Sequence, residues 1–394
     1  MNRRDLLKLS AAGATSGVAG CLSSFSSERG GSDAHPQRQA WRMIHGGPKL
    51  RNSRPSVGDE AVERPPRLLR EESSNAIVSD GTALYFTYNH TGGMGITKAD
   101  RTDAASVWET PFEHGGIASP LAVDDEYVYG TAYGGILAVG KNTGDLVWRA
   151  SEVQGNPKPP TVKGDSVYAV SGGYYESEAG LYRISKDDGG LVWVHPGEFE
   201  GAASVASGIV VVVTTDGTAV GIDAETGEKS WESGAGPRFV TPLSVSDQRA
   251  VGVRATGTVV CLDIETGAVR WNAAVERESG VQVAVDDGEV FVHHSGGITG
   301  LDIDDGNVTM EIDLPQTEGG PLVSTANRFI VGTSDGRVSL LERDGTTVWN
   351  LQVRTVRSGD LIYSRARTIL HDGRDTFVAS FGGDIYGSTA VPSE

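Results

Sequence analysis

Cysteine is almost missing from this chain: its 394 residues include only Cys21 and Cys261, so no disulfide framework holds the fold. Lysine is scarce too, eight residues against twenty-six arginines, and 52 acidic residues outnumber the 34 basic ones to leave a net charge of −18. Binding a nucleic-acid backbone requires clustered Lys and Arg, so this balance excludes nucleic acid as a partner. No apolar stretch is long enough to cross a bilayer; the run from Leu9 to Gly20 falls well short of the ~20 residues needed. Also absent are a G-x-S-x-G elbow, an H-E-x-x-H helix and a P-loop, which removes the common signatures of esterase, zinc-protease and nucleotide chemistry.

What the chain has in excess is glycine, 53 residues without a G-X-Y period, which points to many tight turns and not to collagen. An acid surplus with little lysine resembles the composition of proteins from extreme halophiles, whose carboxylate surface stays hydrated in concentrated salt. Unfolding at low ionic strength is the expected consequence.

The N-terminus reads as an address. Arg3-Arg4 precede a weakly apolar run, and Val18-Ala19-Gly20-Cys21 follows it. The pair resembles a twin-arginine (Tat) signal ending in a lipobox, which implies export of a folded protein and a lipid anchor on Cys21 at the outer face of the cell membrane. Residues 1–20 are then a signal peptide carrying a net +2, so the mature chain carries −20. Residues 21–40, rich in Ser, Gly and polar side chains, read as a flexible tether. Cys261, in Val259-Val260-Cys261-Leu262, reads as a buried strand thiol.

The remainder repeats. Trp108, Trp148, Trp193, Trp231, Trp271 and Trp349 fall 40, 45, 38, 40 and 78 residues apart, and Met310 divides the last gap in two. One further step back reaches Leu69, giving eight positions in register. Each sits just after a turn such as Asn142-Thr143-Gly144 or Glu225-Thr226-Gly227, and the turn degenerates to Arg101-Thr102-Asp103-Ala104 in one repeat. Asp caps local amides and Gly accepts positive φ, as a tight hairpin requires. Three alternating β-rich runs precede every turn; in one repeat they are Thr241–Ser246, Arg249–Arg254 and Thr258–Asp263. Four antiparallel strands per ~40 residues, with one large aromatic each, predict an all-β, eight-bladed β-propeller over residues 41–391. The six tryptophans should fill the wedges between blades. The last three-strand set, Leu361–Ser388, has no fourth strand, and the Leu69 segment has no blade of its own. The prediction is therefore that the N-terminal Leu69 strand completes the last blade against Asp384–Ser388.

The repeat Leu-x-Ala-x-Asp-x-x-Thr-Gly-x-x-x-Trp resembles the PQQ-binding-like (pyrrolo-quinoline quinone) propeller repeat, and Trp41-Arg42-Met43-Ile44-His45-Gly46-Gly47-Pro48 resembles the segment that precedes the first blade in such proteins. The family includes quinoprotein dehydrogenases and the lipoprotein scaffold of the outer-membrane barrel assembly machine. The dehydrogenases use a vicinal cysteine pair against the quinone and a calcium ion held by carboxylates and amides. No Cys-Cys occurs here. The resemblance thus implies a non-catalytic, membrane-anchored, monomeric scaffold that binds a protein or surface polymer, with no cofactor; a PQQ-dependent dehydrogenase or quinone-binding protein is the alternative.

Strand order separates two faces. The face with the turns between third and fourth strands gathers Asp302, Asp304 and Asp305, together with Asp124-Asp125 and Asp286-Asp287 from the turns between first and second strands. These carboxylates are expected to be solvated, and no metal site is expected. The opposite face carries the more individual loops, with Tyr88, His90, Tyr133, Tyr174, Tyr175, Arg238, Phe239, Arg254 and His293 as candidate binding residues. His293 and His294 are neighbours on one strand and should point to opposite sides.

Overall fold

The computed structural model describes Ser53–Arg54 and, between residues 65 and 388, all but 72–76, 91–92, 113–119, 133–134, 154–155, 173–178, 235, 247, 276–280, 287, 315–318, 358–359, 364 and 373–374. The expected signal and tether, with Arg3, Arg4 and Cys21, lie outside the described residues, as does Trp41. Every regular element among the described residues is a β-strand.

Eight four-stranded antiparallel blades follow one another around a ring. Blade 1 runs Ile77–Ser79, Leu84–His90, Gly93–Ala99, Ser106–Phe112, and blade 2 runs Ala122–Val123, Tyr127–Ala132, Gly135–Gly140, Leu146–Ala150. Blades 3 to 7 repeat the pattern and end in the outer strands Leu191–Pro196, Lys229–Glu232, Val269–Ala274, Val308–Asp313 and Thr347–Gln352. Blade 8 contains Ala366–His371, Thr376–Ser380 and Ile385–Gly387, and its fourth strand is Arg67–Arg70, with Arg67 opposite Gly387 and Leu68 opposite Tyr386. The N-terminal strand closes the ring, as the repeat arithmetic predicts. The inner strand of this blade starts later than expected from Leu361–Ser388, because Asp360–Tyr363 pairs with Arg354–Arg357 in a separate hairpin. The closure is packed as well as hydrogen-bonded: one apolar cluster joins Trp349 of blade 7, Phe377 and Tyr386 of blade 8 and Leu84 and Phe86 of blade 1.

Between blades, five tryptophans dock on the next repeat's turn, while Trp349 packs into the closure cluster beside blade 8, whose outer strand comes from the N-terminus. The indole N–H of Trp148 donates to the Lys186 carbonyl at 2.8 Å, and Trp108, Trp193, Trp231 and Trp271 do the same to Lys141, Ala224, Ile264 and Ile303 at 2.7–3.2 Å. Three residues after each acceptor stands a glycine, Gly144, Gly189, Gly227, Gly267 or Gly306, with φ between 69° and 80° and its Cα against the indole face. Glycine is needed there twice over: for the left-handed backbone, and because a Cβ at Gly189 would come within 2.6 Å of the Trp148 ring.

The two positions without tryptophan are matched by altered turns. Leu69 lies over Gly387, where a Cβ would come within 2.5 Å of its side chain, and the turn beyond it carries Ala104 at φ 57° in the glycine position. After Met310, the turn of blade 7 shortens and Gly345 faces Ile312 instead.

The same turns also latch the blades ionically. Lys141 lies 3.3 Å from Asp80 of blade 1, and Lys186 lies 3.2 Å from Asp124 of blade 2. Arg343 is 3.9 Å from Asp286, with its guanidinium 4.3 Å from the Phe291 and Phe329 ring centres. At the ring closure, Arg101 is buried between Asp372 (2.5 Å) and Asp375 (3.0 Å) and donates to Ser79. Asp124 and Asp286 are therefore not the solvated carboxylates that composition suggests. Each also accepts backbone N–H bonds from its own turn, and Asp124 accepts the Tyr129 hydroxyl at 2.8 Å. In the analogous Asp80, burial pushes the carboxyl pKa up, but hydrogen bonds from Thr82, Ala83 and Tyr85 outweigh it and hold the group at about 2.

Candidate binding face and central cleft

The hairpins between second and third strands share a face with the crossovers between blades, and this is where the candidate residues sit. Tyr133, Tyr174 and Tyr175 lie outside the described residues, and His90 is described only as the strand end opposite Gly93. Among the others the face is less exposed than loop tips suggest. Tyr88 is buried with its ring against Gly95, and burial, then the charge of Glu109, raises its pKa. Arg254 and Phe239 form a buried stack, with the guanidinium 4.7 Å from the ring centre and Nη1 donating to the Pro237 carbonyl at 2.8 Å. Arg238 alone is well exposed, beside Glu200 at 3.4 Å.

His293 is buried as well. Its Nδ1 lies 3.1 Å from the Gly320 carbonyl, which can only accept, so Nδ1 carries the proton. Burial drives its pKa down to about 4, and the ring is neutral at physiological pH. His294 faces Thr299 and Gly296 instead, so the two histidines diverge. No group of three His, Cys, Asp or Glu among the described residues is arranged to hold a metal. Asp302 accepts the backbone N–H groups of Asp304 and Asp305 and so completes a turn. Cys261 is fully buried, and desolvation pushes its thiol up to about 12, far from reactivity.

The carbonyl that His293 holds belongs to a cleft of about 470 Å³ at the mouth of the central channel. Its walls are the first residues of three inner strands, Gln282 in blade 6, Gly319 to Leu322 in blade 7 and Arg365 to Ile369 in blade 8. The hairpin residues Thr333, Ser334 and Phe381 complete them, with Pro120 and Pro159 contributed by blades 2 and 3. Two bulges shape this wall. The blade 7 ladder jumps from Gly319 to Leu322, and the blade 8 ladder jumps from Ala366 to Thr368, leaving Arg367 as the extra residue. A bulge turns a side chain away from the strand's alternation, and here it sets the Arg367 guanidinium 5.3 Å from the Phe381 ring centre. The Phe381 N–H donates to the Arg365 carbonyl at 2.9 Å, tying hairpin to inner strand. Phe381 is 60% exposed, unusual for a large aromatic on so acidic a protein. Burial lowers the pKa of Arg367 from its ordinary value.

None of Arg365, Arg367, Phe381, Pro120 or Pro159 was marked by motif. The one signal available was a bare Ser380-Phe381-Gly382-Gly383 turn in the last repeat, facing an Arg-x-Arg at the start of the same repeat's inner strand.

The cleft bears on the expected cofactor. Among the described residues its lining includes no carboxylate and no cysteine, so these residues do not fit a calcium-chelated quinone resting on a vicinal disulfide.

Comparison with known proteins places this architecture. A family model described as outer membrane protein assembly factor BamB matches residues 38–203, 134–281, 195–318 and 255–390. A BamB of Burkholderia pseudomallei is 30% identical over 137 residues, 33% of this chain and 33% of that protein. The tetrathionate hydrolase of Acidithiobacillus ferrooxidans is 29% identical over 156 residues, 34% of this chain and 31% of that protein. The matches thus span about a third of the length of these relatives. In structure, a europium-containing methanol dehydrogenase superposes with a TM-score of 0.62 at 13% identity, covering 87% of this chain and 89% of that one, a likeness of fold alone. With overlapping matches running from residue 38 to 390, the chain belongs to the BamB-like PQQ-repeat β-propeller family.

Proposed function

We propose that the protein is an exported, lipid-anchored, non-catalytic propeller that serves as a binding and assembly scaffold in the cell envelope. The observation that carries this reading is the cleft at the channel mouth. Among the described residues its polar side chains are guanidinium, hydroxyl and amide groups, and none of these is a general acid or base near neutral pH. An arrangement that offers charge, an aromatic face and rigid proline walls suits holding a ligand. The BamB relative, named for outer-membrane protein assembly, supports the scaffold reading, and the Arg3-Arg4 and Cys21 motifs support export by the Tat route and anchoring.

Two experiments test it. Cys21→Ser should release the protein from the membrane fraction, and Arg3→Lys with Arg4→Lys should retain the precursor in the cytoplasm; membrane association unchanged in both variants would refute the anchor. The rival is a quinone-dependent enzyme, favoured by the fold shared with the methanol dehydrogenase. Incubating the purified chain with PQQ and calcium in high salt, then following the quinone spectrum and dye reduction with alcohols or aldoses, decides between them. Retained quinone with turnover would replace the scaffold reading.

A further inference from the structure

We propose that Asn307 is an N-glycosylation site, modified at the outer side of the membrane with an oligosaccharide delivered on a polyprenyl phosphate or pyrophosphate. This goes beyond the scaffold reading and rests on the export that forms part of it. Asparagine accepts a glycan where Ser or Thr stands two residues later and the residue between is not proline. The chain has ten asparagines and two such triplets, Asn89-His90-Thr91 and Asn307-Val308-Thr309. A protein exported already folded, as the twin-arginine motif implies, offers a transferase only what its native surface presents, so the fold decides between the two.

The second triplet is presented. Asn307, Val308 and Thr309 are all exposed, Val308 at 55%. Asn307 follows the turn glycine of blade 6, and Val308 opens the outer edge strand Val308–Asp313, the last of its sheet among the described residues. Thr309 is the extra residue of a bulge: the ladder passes from Gly300 opposite Met310 to Leu301 opposite Val308. A bulge residue at the start of an edge strand can enter an enzyme's groove without opening the blade. The side chains are held only by other surface groups, with Asn307 Nδ2 donating to Asp305 at 2.7 Å and Thr309 Oγ1 donating to Glu289 at 2.9 Å. Asn89, by contrast, lies within the second strand of blade 1, opposite Met94 in the ladder with the third strand, and Thr91 is outside the described residues.

The blade itself requires neither residue. After the turn glycine the other repeats carry Asp145, Gly190, Glu228, Ala268 and Thr346, and at the Thr309 position they carry Val147, Val192, Ser230, Arg270 and Val348. Those hairpins close without an asparagine, so the pairing of Asn307 with Thr309 in blade 6 is a departure that turn geometry does not demand.

In the transfer, Nδ2 of Asn307 bonds to the anomeric carbon of the sugar. The bond from that carbon to the phosphate oxygen breaks and leaves its electron pair on the lipid phosphate, and the carboxamide gives up one of its two protons; nothing is oxidised or reduced. A membrane transferase supplies the catalysis. The glycan stands on the rim of the acidic turn face beside the exposed Val308, where its bulk keeps partners away and leaves the opposite face, with the channel mouth, open to them.

The test expresses the full chain in an exporting high-salt host whose own envelope proteins carry N-glycans, beside a reporter sequon that the same cells glycosylate. Protein from the membrane fraction is cut before aspartate and read by mass spectrometry. The peptide Asp305–Ile312 should carry the mass of one or more sugars, and the peptide Asp80–Ala99, which holds Asn89, should be bare. Asn307→Gln and Thr309→Val should each abolish the added mass and the matching shift in gel mobility, whereas Thr309→Ser should keep both. The wild-type peptide is read directly, so the outcome does not depend on any variant folding. A bare Asp305–Ile312 peptide in membrane-fraction protein, with the reporter glycosylated, overturns the assignment and leaves the export reading standing; so does sugar on Asn89 with Asn307 bare. Wild-type protein confined to the cytoplasm overturns the export reading and this site with it.

Discussion

Replacing Gly189 by alanine should destabilise the ring far more than the same change at Gly208, although the two backbones are nearly identical at φ 74° and 75°. Holding alanine in the left-handed region costs about 1–2 kcal/mol at either site, and stiffening the unfolded chain returns about 0.4–1 kcal/mol. At Gly208 nothing lies within 4 Å of the new methyl group, so the net loss is about 1 kcal/mol or less. At Gly189 the methyl would meet the Trp148 ring at 2.6 Å. The indole must retreat, which adds roughly 1–3 kcal/mol of overpacking and about 1 kcal/mol for the strained bond to the Lys186 carbonyl. Urea unfolding in high salt should thus give a loss of ~2–5 kcal/mol for Gly189→Ala. A double-mutant cycle sharpens the test: in a Trp148→Leu background, the Gly189→Ala change should fall to the level seen at Gly208. Equal losses at Gly189 and Gly208, or a Gly189 penalty unaltered in the Trp148→Leu background, would refute the docking argument.

Acid should weaken the fold in two limbs. His293 stays neutral to about pH 4 in the fold while the unfolded histidine protonates near 6.5, so the unfolded state binds more protons and stability drops by about 3 kcal/mol as pH falls between those values. Asp80 contributes about 2 kcal/mol that is complete above roughly pH 4 and disappears toward pH 2. His293→Gln should flatten the upper limb only, as followed by denaturation midpoints against pH. Arg101→Met leaves Asp372 and Asp375 buried without their cation and should cost about 3–5 kcal/mol; a loss under about 1 kcal/mol would show the closure does not depend on that pair. If the acid surplus is an adaptation to salt, lowering KCl from 2 M to 0.05 M should unfold the chain by circular dichroism, whereas an unchanged spectrum would mark an ordinary acidic protein.

The blade count and the ring closure were legible because both follow from periodicity. A tryptophan every ~40 residues marks the outer strand, since each wedge between blades needs one bulky side chain and each hairpin needs its glycine. The exceptions also carried information. Leu69 and Met310 look like simple erosion in the sequence, yet each is paired with an altered turn in the following repeat, Ala104 in one case and the shortened Arg343-Asp344-Gly345 in the other. The ionic latches were not legible. Asp80 and Lys141 are 61 residues apart and belong to different blades, and nothing in either turn distinguishes a paired carboxylate from a solvated one.

The face of the candidate site followed from strand order, but its residues did not. Loop-tip aromatics and arginines are a fair guess for an interface, yet Tyr88, Phe239, Arg254 and His293 are buried, because Tyr88 and His293 lie within strands and Phe239 and Arg254 bridge each other in one blade. What lines the cleft instead is decided by two bulges. In a regular strand Arg365 and Arg367 would share one face and Ala366 the other. With Arg367 as the extra residue, the alternation breaks where the cleft needs it, and no count of period two reveals that. Phe381 was hidden for a related reason: a single aromatic in a Gly-rich turn has no repeat to be compared with, because its counterpart in blade 7 is Ser334 and in blade 4 Thr215. The repeat thus reports what the blades share, and the cleft is built from what one blade does not share. A ligand site on a propeller of this kind is better sought in the departures from the repeat than in its conserved-looking turns.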